Sequence, residues 1–227
     1  LFRSSLISPP SHCPNCQHRL GVTELIPIFS YIFQKGKCKH CHHKIPAFYT
    51  VFEFITGLLF VLAYLSYGLT LELLIALTFI SMLIIIVVSD YIYMIINDSV
   101  LIIFTLILAL EIFLTYDFTT LINHFGSAIL AFITMFSLKK IGDYMFQKES
   151  MGGGDIKLMF VFGLVLGYPM SLLSIFLGSI IGLPASLILM KKNSEHIIPF
   201  GPFLAAGALI IILCQIDFDT ILKLYGY

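Results

Sequence analysis

Long apolar runs alternate with short polar connectors from residue 48 to the C-terminal region. Six runs of roughly 17 to 21 residues are long enough to span a bilayer, and they cover 48–67, 71–89, 99–115, 121–138, 170–190 and 200–216. A further run, 158–167, has only about ten residues, so it either spans, re-enters the membrane or forms a short helix shielded by its neighbours. Residues 1–47 form the one extended polar region. The pattern predicts an all-α polytopic membrane protein with two domains, a polar head (1–47) and a membrane-embedded domain (48–227).

The connectors predict the orientation of these runs. Nearly all Lys and Arg residues lie in the head, in the 139–157 connector and in the 191–198 connector, whereas 68–70 and 116–120 contain none. Basic loops face the cytoplasm in membrane proteins. The alternation is consistent if 158–167 counts as a short span, which makes seven spans after a cytoplasmic head. Because the sequence opens on Leu1 within a polar stretch, we expect an eighth apolar helix upstream of it.

Composition supports a membrane protein and argues against nucleic-acid binding. The chain is 59% hydrophobic and 11% charged, with a mean hydropathy of +0.99, whereas a soluble domain carries about twice that charged fraction. The formal net charge is zero, so the chain has no overall basic field of the kind that attracts nucleic acid. The lipid bilayer is the partner that the composition predicts.

Four of the five cysteines lie in the head, in the segments "HCPNCQHRL" and "KCKHCHHK". Cys13, Cys16, Cys38 and Cys41 follow the spacing C-x2-C-x21-C-x2-C. Two residues between thiols allow each pair to bind one tetrahedral ion, and about twenty residues between the pairs bring them together. We therefore predict a small zinc-ribbon-like head with a structural four-cysteine Zn²⁺ site, because four thiolates leave no open coordination position for catalysis.

Six acidic residues lie inside or beside the apolar runs: Glu53, Glu72, Asp90, Asp98, Glu111 and Asp155. An ionisable group in the bilayer is costly, so each is a candidate for function. Glu72 and Glu111 lie near the outer ends of their runs, where we expect headgroups and water to solvate them. Asp98 begins a run and is well suited to cap its helix, and Glu53 lies one to two turns into the first run, next to the head.

Asp90 and Asp155 form the most informative pair. They are 65 positions apart (155 − 90), yet the topology places both at the cytoplasmic edge of the membrane. Two close carboxylates share a proton, so that one acts as a general base on water while the other donates to a carbonyl oxygen. Gly152, Gly153 and Gly154 precede the second acid, and their bare amides are suited to line an extended substrate. This arrangement predicts attack of water on a carbonyl group of an extended substrate at the membrane surface.

Two other classes of protein remain open from the residues alone. A transporter or proton-conducting protein with a zinc-binding head would also carry intramembrane acids, but at staggered depths. A membrane anchor for a zinc-ribbon adaptor would explain the head, but it gives the Gly-Gly-Gly-Asp segment no purpose.

The sequence resembles the type IV prepilin peptidases, the Gly-x-Gly-Asp membrane aspartic proteases. The resemblance extends over nearly the whole chain. Its motifs, in order, are "SHCPNC", "ELIPIFSYIFQKGKCKHC", "FYTVFEFITG", "VSDYIYMIIND", "GGGDIKL" and "IPFGPFLAAGAL". The chain departs from the family pattern at Ser11, where some members carry an acid, and at Ile96-Asn97-Asp98, where the family has Ile-Pro-Asp.

The resemblance implies an activity, cofactors and partners. It makes Asp90 and Asp155 the catalytic pair, which would remove the leader of prepilins or pseudopilins after a glycine at the cytoplasmic face of the bacterial cytoplasmic membrane. It also implies N-methylation of the new terminus with S-adenosylmethionine, an activity served by the Cys-rich head. Gly36, Lys37 and Glu53 are the candidate methyltransferase residues.

Overall fold

The computed structural model describes residues 11–192 and 199–216. Within this part of the chain the structure is helical, apart from isolated β-bridges in the head. A 3₁₀ turn over Val22–Glu24 precedes the α-helices, which are α1 (Phe29–Phe33), α2 (Ala47–Tyr67), α3 (Leu71–Tyr93), α4 (Asp98–Thr115), α5 (Phe118–Phe146), α6 (Gly153–Leu166), α7 (Tyr168–Lys192) and α8 (Gly201–Leu213). The all-α prediction is confirmed.

Two compact units divide the chain at residue 59, one formed by the head with the first turns of α2 and the other by the remaining helices. Four helices of the described residues are long and apolar enough to cross a membrane, α2, α3, α4 and α5. Helices α7 and α8 contribute shorter apolar segments, and α6 has 14 residues.

Helix α5 is longer than the apolar run that predicted it. We expected a span over 121–138 and a connector from 139, but the helix continues to Phe146 and ends where Gln147 adopts a left-handed conformation (φ 53°). Lys139 and Lys140 therefore lie on the helix. The apolar run shows only which part of the helix can lie in the hydrocarbon of a membrane. The helix itself continues until its backbone hydrogen bonds are interrupted.

Helix α6 forms the centre of the second unit. Most of its side chains are buried, including Leu158, Met159 and Phe162. Asp155 at its start shares a cavity with Asp90, and Leu166 at its end shares another with Glu72, so α6 runs antiparallel to α3. The short run 158–167 thus belongs to a short helix shielded by its neighbours, one of the three forms expected from the sequence.

Small residues allow α6 to approach α5 closely. A Cβ at Gly163 would lie 2.6 Å from Cα of Ala128 and from the carbonyl oxygen of Ser127. A Cβ at Gly178 on α7 would similarly lie 2.8 Å from the carbonyl oxygen of Phe203 on α8. Between apolar helices in a membrane, association depends on such close packing because lipid solvates apolar side chains as well as protein does.

Candidate functional site

Asp90 and Asp155 come together at one end of the second unit. Asp90 lies in the last turn of α3, which ends when Met94 takes a left-handed conformation (φ 53°). Asp155 lies in the first turn of α6, after Gly152 in the N-cap position. Each residue is only 7% exposed, although both are acids. A carboxylate is rarely buried to this extent without a partner or a chemical role.

A cavity of about 510 Å³ joins the two aspartates. Its other lining residues come from the connector between α3 and α4 and from the segment that opens α6: Met94, Ile95, Ile96, Asn97, Asp98, Gly152, Gly153, Gly154 and Lys157. All three predicted substrate-lining glycines are therefore beside the two acids. The helix begins within the glycine segment, since Gly153 and Gly154 already belong to α6.

Glycine is required at two positions around this cavity because neighbouring groups leave no room for a side chain. A Cβ at Gly154 would lie 2.7 Å from Cβ of Ile96, and a Cβ at Gly201 would lie 2.5 Å from Oδ2 of Asp90. Gly201 is the first residue of α8, and its backbone N–H interacts with the Asp90 carboxylate. The N-termini of α6 and α8 thus direct the positive ends of two helix dipoles toward the acids, which favours negative charge there.

The sequence reasoning missed Gly201 and Lys157. The "IPFGPF" segment contained a signal for the first, because Pro202 marks the start of a helix. Lys157 follows Asp155 by two positions, and its Nζ lies 2.7 Å from both carboxylate oxygens of Asp98. This ion pair links α6 to the beginning of α4.

The prediction that Asp98 caps α4 is wrong. Asn97 is the N-cap, and its side-chain oxygen accepts a hydrogen bond from the backbone N–H of Ser99 at 2.9 Å. Asp98 is the first helical residue and binds Lys157 instead. Asn and Asp cap helices about equally well, so propensity could not distinguish the two neighbours, and the position of Lys157 was visible only in the fold.

Two acids at the opposite end of α3 differ from each other. Glu72 accepts a hydrogen bond from the Tyr116 hydroxyl at 2.8 Å and is exposed, as its position near the end of a run predicted. Glu111 was expected to be solvated as well, but the structure shows otherwise. The Thr78 hydroxyl donates to its Oε1 at 2.7 Å, and its Oε2 is buried without a partner among the described residues. Helix α3 packs against α4 here and covers the carboxyl group.

The four head cysteines form one cluster. Their Sγ atoms all lie within 4.8 Å of one another, with 3.8 Å between Cys13 and Cys41 and 3.9 Å between Cys16 and Cys38. All four are free thiols. A tetrahedral ion with metal–sulfur bonds of about 2.3 Å separates its sulfurs by about 3.8 Å. The cluster therefore fits one tetrahedral metal ion.

Each Cys-x2-Cys segment forms the same small loop. In the first loop the N–H of Cys13 donates to the carbonyl of His18, and in the second the N–H of Cys38 donates to the carbonyl of His43, both at 2.9 Å. The residue after each second cysteine has a left-handed backbone, at Gln17 (φ 59°) and at His42 (φ 55°). Two equivalent loops thus present two thiols each.

Two of the four thiols, Cys41 and Cys16, have pKa values shifted in opposite directions. A hydrogen bond from the Asn15 side chain, followed by one from the backbone of His43, lowers the pKa of Cys41 to about 6. Although the backbone N–H of His18 lowers the pKa of Cys16, burial and the neighbouring thiols raise it overall to about 12. A bound cation would favour the ionised form of closely spaced thiols, because metal ligation requires thiolates.

The three candidate methyltransferase residues occupy different places in the first unit, two in the head and one on α2. Lys37 lines a cavity of about 560 Å³ together with Phe29, Phe33 and Glu24. Gly36 has a left-handed backbone (φ 69°), and a Cβ there would lie 2.8 Å from the Tyr31 hydroxyl.

Glu53, the third candidate, supports the backbone of the head. Its Oε2 accepts a hydrogen bond from the backbone N–H of Ile28 at 3.0 Å. Ile28 itself has a positive φ of 64°, which is unfavourable for a β-branched residue. The carboxylate therefore helps to hold a strained turn.

Glu24 is a partly buried acid that sequence reasoning did not single out. Its Oε2 accepts a hydrogen bond from the backbone N–H of Gly21 at 2.8 Å and lies 3.5 Å from Nε2 of His18. The Gly21 hydrogen bond, with a smaller contribution from the charge of His18, lowers the pKa of Glu24 below its ordinary value. The available signal was a Glu three residues after Gly21, since a Glu at this position of a helical turn can accept a hydrogen bond from the N-cap backbone N–H.

Comparisons with known proteins cover both units. The family model described as the Bacterial Peptidase A24 N-terminal domain matches residues 2–67, and the Type IV leader peptidase family matches residues 77–187. No solved structure matches the chain.

Curated relatives match over most of their length. A prepilin leader peptidase/N-methyltransferase of Bacillus subtilis is 37% identical over 224 residues, covering 97% of this chain and 87% of the relative. The protein of the same name from Dichelobacter nodosus is 31% identical, covering 99% and 77%. A type 4 prepilin-like proteins leader peptide-processing enzyme of Escherichia coli is also 31% identical, covering 93% and 78%. The chain therefore belongs to the type IV prepilin leader peptidase family.

Proposed function

We propose that this protein is a prepilin leader peptidase in which Asp90 and Asp155 hydrolyse the peptide bond between leader and mature pilin. The observation that carries the proposal is the shared cavity, in which two buried acids distant in sequence meet beside a glycine segment. Family membership supports the same activity, because the curated relatives are named for it.

The cavity contains the groups that peptide hydrolysis needs. One carboxylate removes a proton from water as the water oxygen attacks the scissile carbonyl, while the other, protonated carboxyl donates a hydrogen bond to the carbonyl oxygen. The resulting tetrahedral intermediate collapses as a proton passes to the leaving amine and the C–N bond breaks. Gly152 to Gly154 leave room for an extended peptide beside both acids.

The proposed membrane topology is compatible with such a substrate. We propose seven spans after the head in this chain, counting the shielded short helix α6 as one, with the connector between α5 and α6 in the cytoplasm of a bacterium. This places the aspartate cavity at the cytoplasmic edge of the bilayer. A prepilin with a basic leader and an apolar helix would present its scissile bond at that depth.

The head supports a second reaction, N-methylation of the terminal amine that cleavage releases. We propose that Cys13, Cys16, Cys38 and Cys41 hold a structural Zn²⁺ ion that maintains the fold of a domain with little core of its own. S-adenosylmethionine, when bound, supplies an electrophilic methyl group. The cavity beside Lys37 is our candidate for the site where amine and donor meet, with Gly36 and Glu53 shaping the surrounding loops.

A transporter is less well supported. A proton path would need acids in succession across the membrane, whereas the two most buried acids of the described helices lie at one end of the unit. Glu72 and Glu111 bind neighbouring hydroxyl groups from Tyr116 and Thr78 instead.

The direct test is cleavage of a synthetic prepilin by the full-length protein in membranes. We expect Asp90→Asn and Asp155→Asn each to lower the rate by roughly 10³-fold or more, since each removes one member of the catalytic pair. Glu72→Gln is the matched control, because it neutralises an acid on the same helix as Asp90 but at the other end, and it should cleave normally. Substantial cleavage by either aspartate variant would refute the assignment.

A further inference from the structure

A second cavity lies next to the aspartate cavity, in the apolar part of the helical unit, and shares two lining residues with it. It has a volume of about 350 Å³ and is lined by residues of α4, α5 and α6. Asp98 and Lys157 line both cavities, so their ion pair forms the boundary between a polar compartment and an apolar one. We call the apolar compartment the lateral groove.

The lateral groove has a defined shape. Leu101 and Val161 are buried and form its floor. Its walls are Ile102 and Leu106 on α4, Phe132 on α5 and Phe160 on α6. Helices α4 and α5 are both long and apolar enough to span a membrane, so the groove opens toward lipid.

We propose that the lateral groove receives the first side chains of the substrate's apolar helix, immediately after the scissile bond. This inference rests on the proposed peptidase function and names the part of the substrate that the site recognises inside the membrane. A chain that leaves the aspartate cavity past the Lys157–Asp98 pair enters the groove directly, because the same two side chains line both.

The physical reason for a groove is that apolar burial alone gives no affinity between helices in lipid. Acyl chains solvate a Phe or Ile side chain about as well as protein does, so recognition must come from close packing into a concave surface. The floor between the Phe132 and Phe160 rings offers that concavity. The neighbouring residue Ile103 is also on α4, but it is not among the groove's lining residues.

Ile102 and Ile103 are a matched pair for testing the groove. They are adjacent on α4, and their side chains are 60% and 56% exposed, respectively. We expect Ile102→Trp to lower kcat/KM for a prepilin by about tenfold, mainly through KM, since it fills the groove without touching the acids. Ile103→Trp should leave kcat/KM within about twofold of the wild type.

Photocrosslinking identifies the occupant without relying on a bulky substitution. Benzoylphenylalanine at position 102 or 103 is introduced into the full chain carrying Asp155→Asn, in vesicles that contain uncleaved prepilin. We expect a prepilin adduct through its apolar helix from position 102 and little from position 103. Equal adducts from both positions, adducts with lipid only, or adducts with a second copy of this chain would overturn the proposal.

Wild-type cleavage in the same vesicles distinguishes a failure of the groove assignment from a failure of the peptidase assignment. If the wild type cleaves the prepilin and position 102 does not crosslink to it, the groove assignment fails and the peptidase assignment stands. If the wild type does not cleave a prepilin that a related enzyme processes, the proposed function itself fails.

Discussion

The cysteine cluster of the head and the aspartate cavity of the helical unit are assembled in opposite ways. Each pair of thiols lies within one short loop, closed by a backbone hydrogen bond from Cys13 to His18 or from Cys38 to His43. Asp90 and Asp155 are 65 positions apart (155 − 90) and meet only because α3 and α6 run antiparallel with their ends aligned. The cysteine cluster is built from two short loops of the same local structure. The aspartate cavity forms only when α3 and α6 pack with Asp90 and Asp155 side by side.

The largest expected effect tests whether the two sites work independently. Asp155→Asn should abolish cleavage while leaving the metal content of the head at the wild-type value, because the residue lies outside the head. Metal analysis and prepilin cleavage on the same membranes give both values. A loss of metal in this variant would contradict the independence of the two sites.

Removing the metal is the converse test. We expect Cys38→Ser, or a chelator, to eliminate the bound metal and N-methylation, since a tetrahedral site with three thiolates binds much more weakly. Cleavage should remain within about twofold of the wild type. Cys214→Ser is the matched control, because that thiol is exposed and outside the cluster. Loss of cleavage with the metal would show that the head also supports the peptidase.

A packing substitution in the helical unit, distant from both sites, should impair cleavage at the aspartate cavity and leave the cysteine cluster unchanged. Gly163→Ala places a Cβ 2.6 Å from the backbone of Ala128, and we expect it to destabilise the helical unit by about 1–3 kcal/mol. Gly126→Ala is the control on α5, where a Cβ meets nothing within 4 Å, and it should be neutral or slightly stabilising. Thermal inactivation of cleavage measures both. Equal effects of the two variants would contradict the close contact of α5 and α6.

The smallest expected effect concerns Glu24 and pH. Its pKa is lowered in the folded head, so its contribution to stability is present above the ordinary value of 4.5 and is lost as the pH falls through the lower folded pKa. The difference in unfolding midpoint between the wild type and Glu24→Gln should therefore be largest near neutral pH and shrink on acidification. A difference that is independent of pH would argue against a role for the charge of Glu24.

Several features of the protein were predictable from the sequence alone. Helical structure follows from apolar runs of about membrane length, the thiol cluster from two Cys-x2-Cys segments, and the candidate aspartates from acids at the edges of apolar runs. In each case the signal is local, because the composition or spacing of a few neighbouring residues indicates the structure or site that they form. Asp90 and Asp155 are conspicuous in the sequence itself because a carboxylate is costly to place beside apolar residues.

Tertiary structure alone decided the features that depend on contacts between distant segments. These include the pairing of Lys157 with Asp98 and the burial of the Oε2 atom of Glu111. It also decided that Gly201 lies against Asp90 and that the Lys157–Asp98 pair lines both the aspartate cavity and the lateral groove. The reason is that helices of similar hydropathy can pack in many registers, and small-residue contacts such as that between Gly163 and Ala128 select one of them.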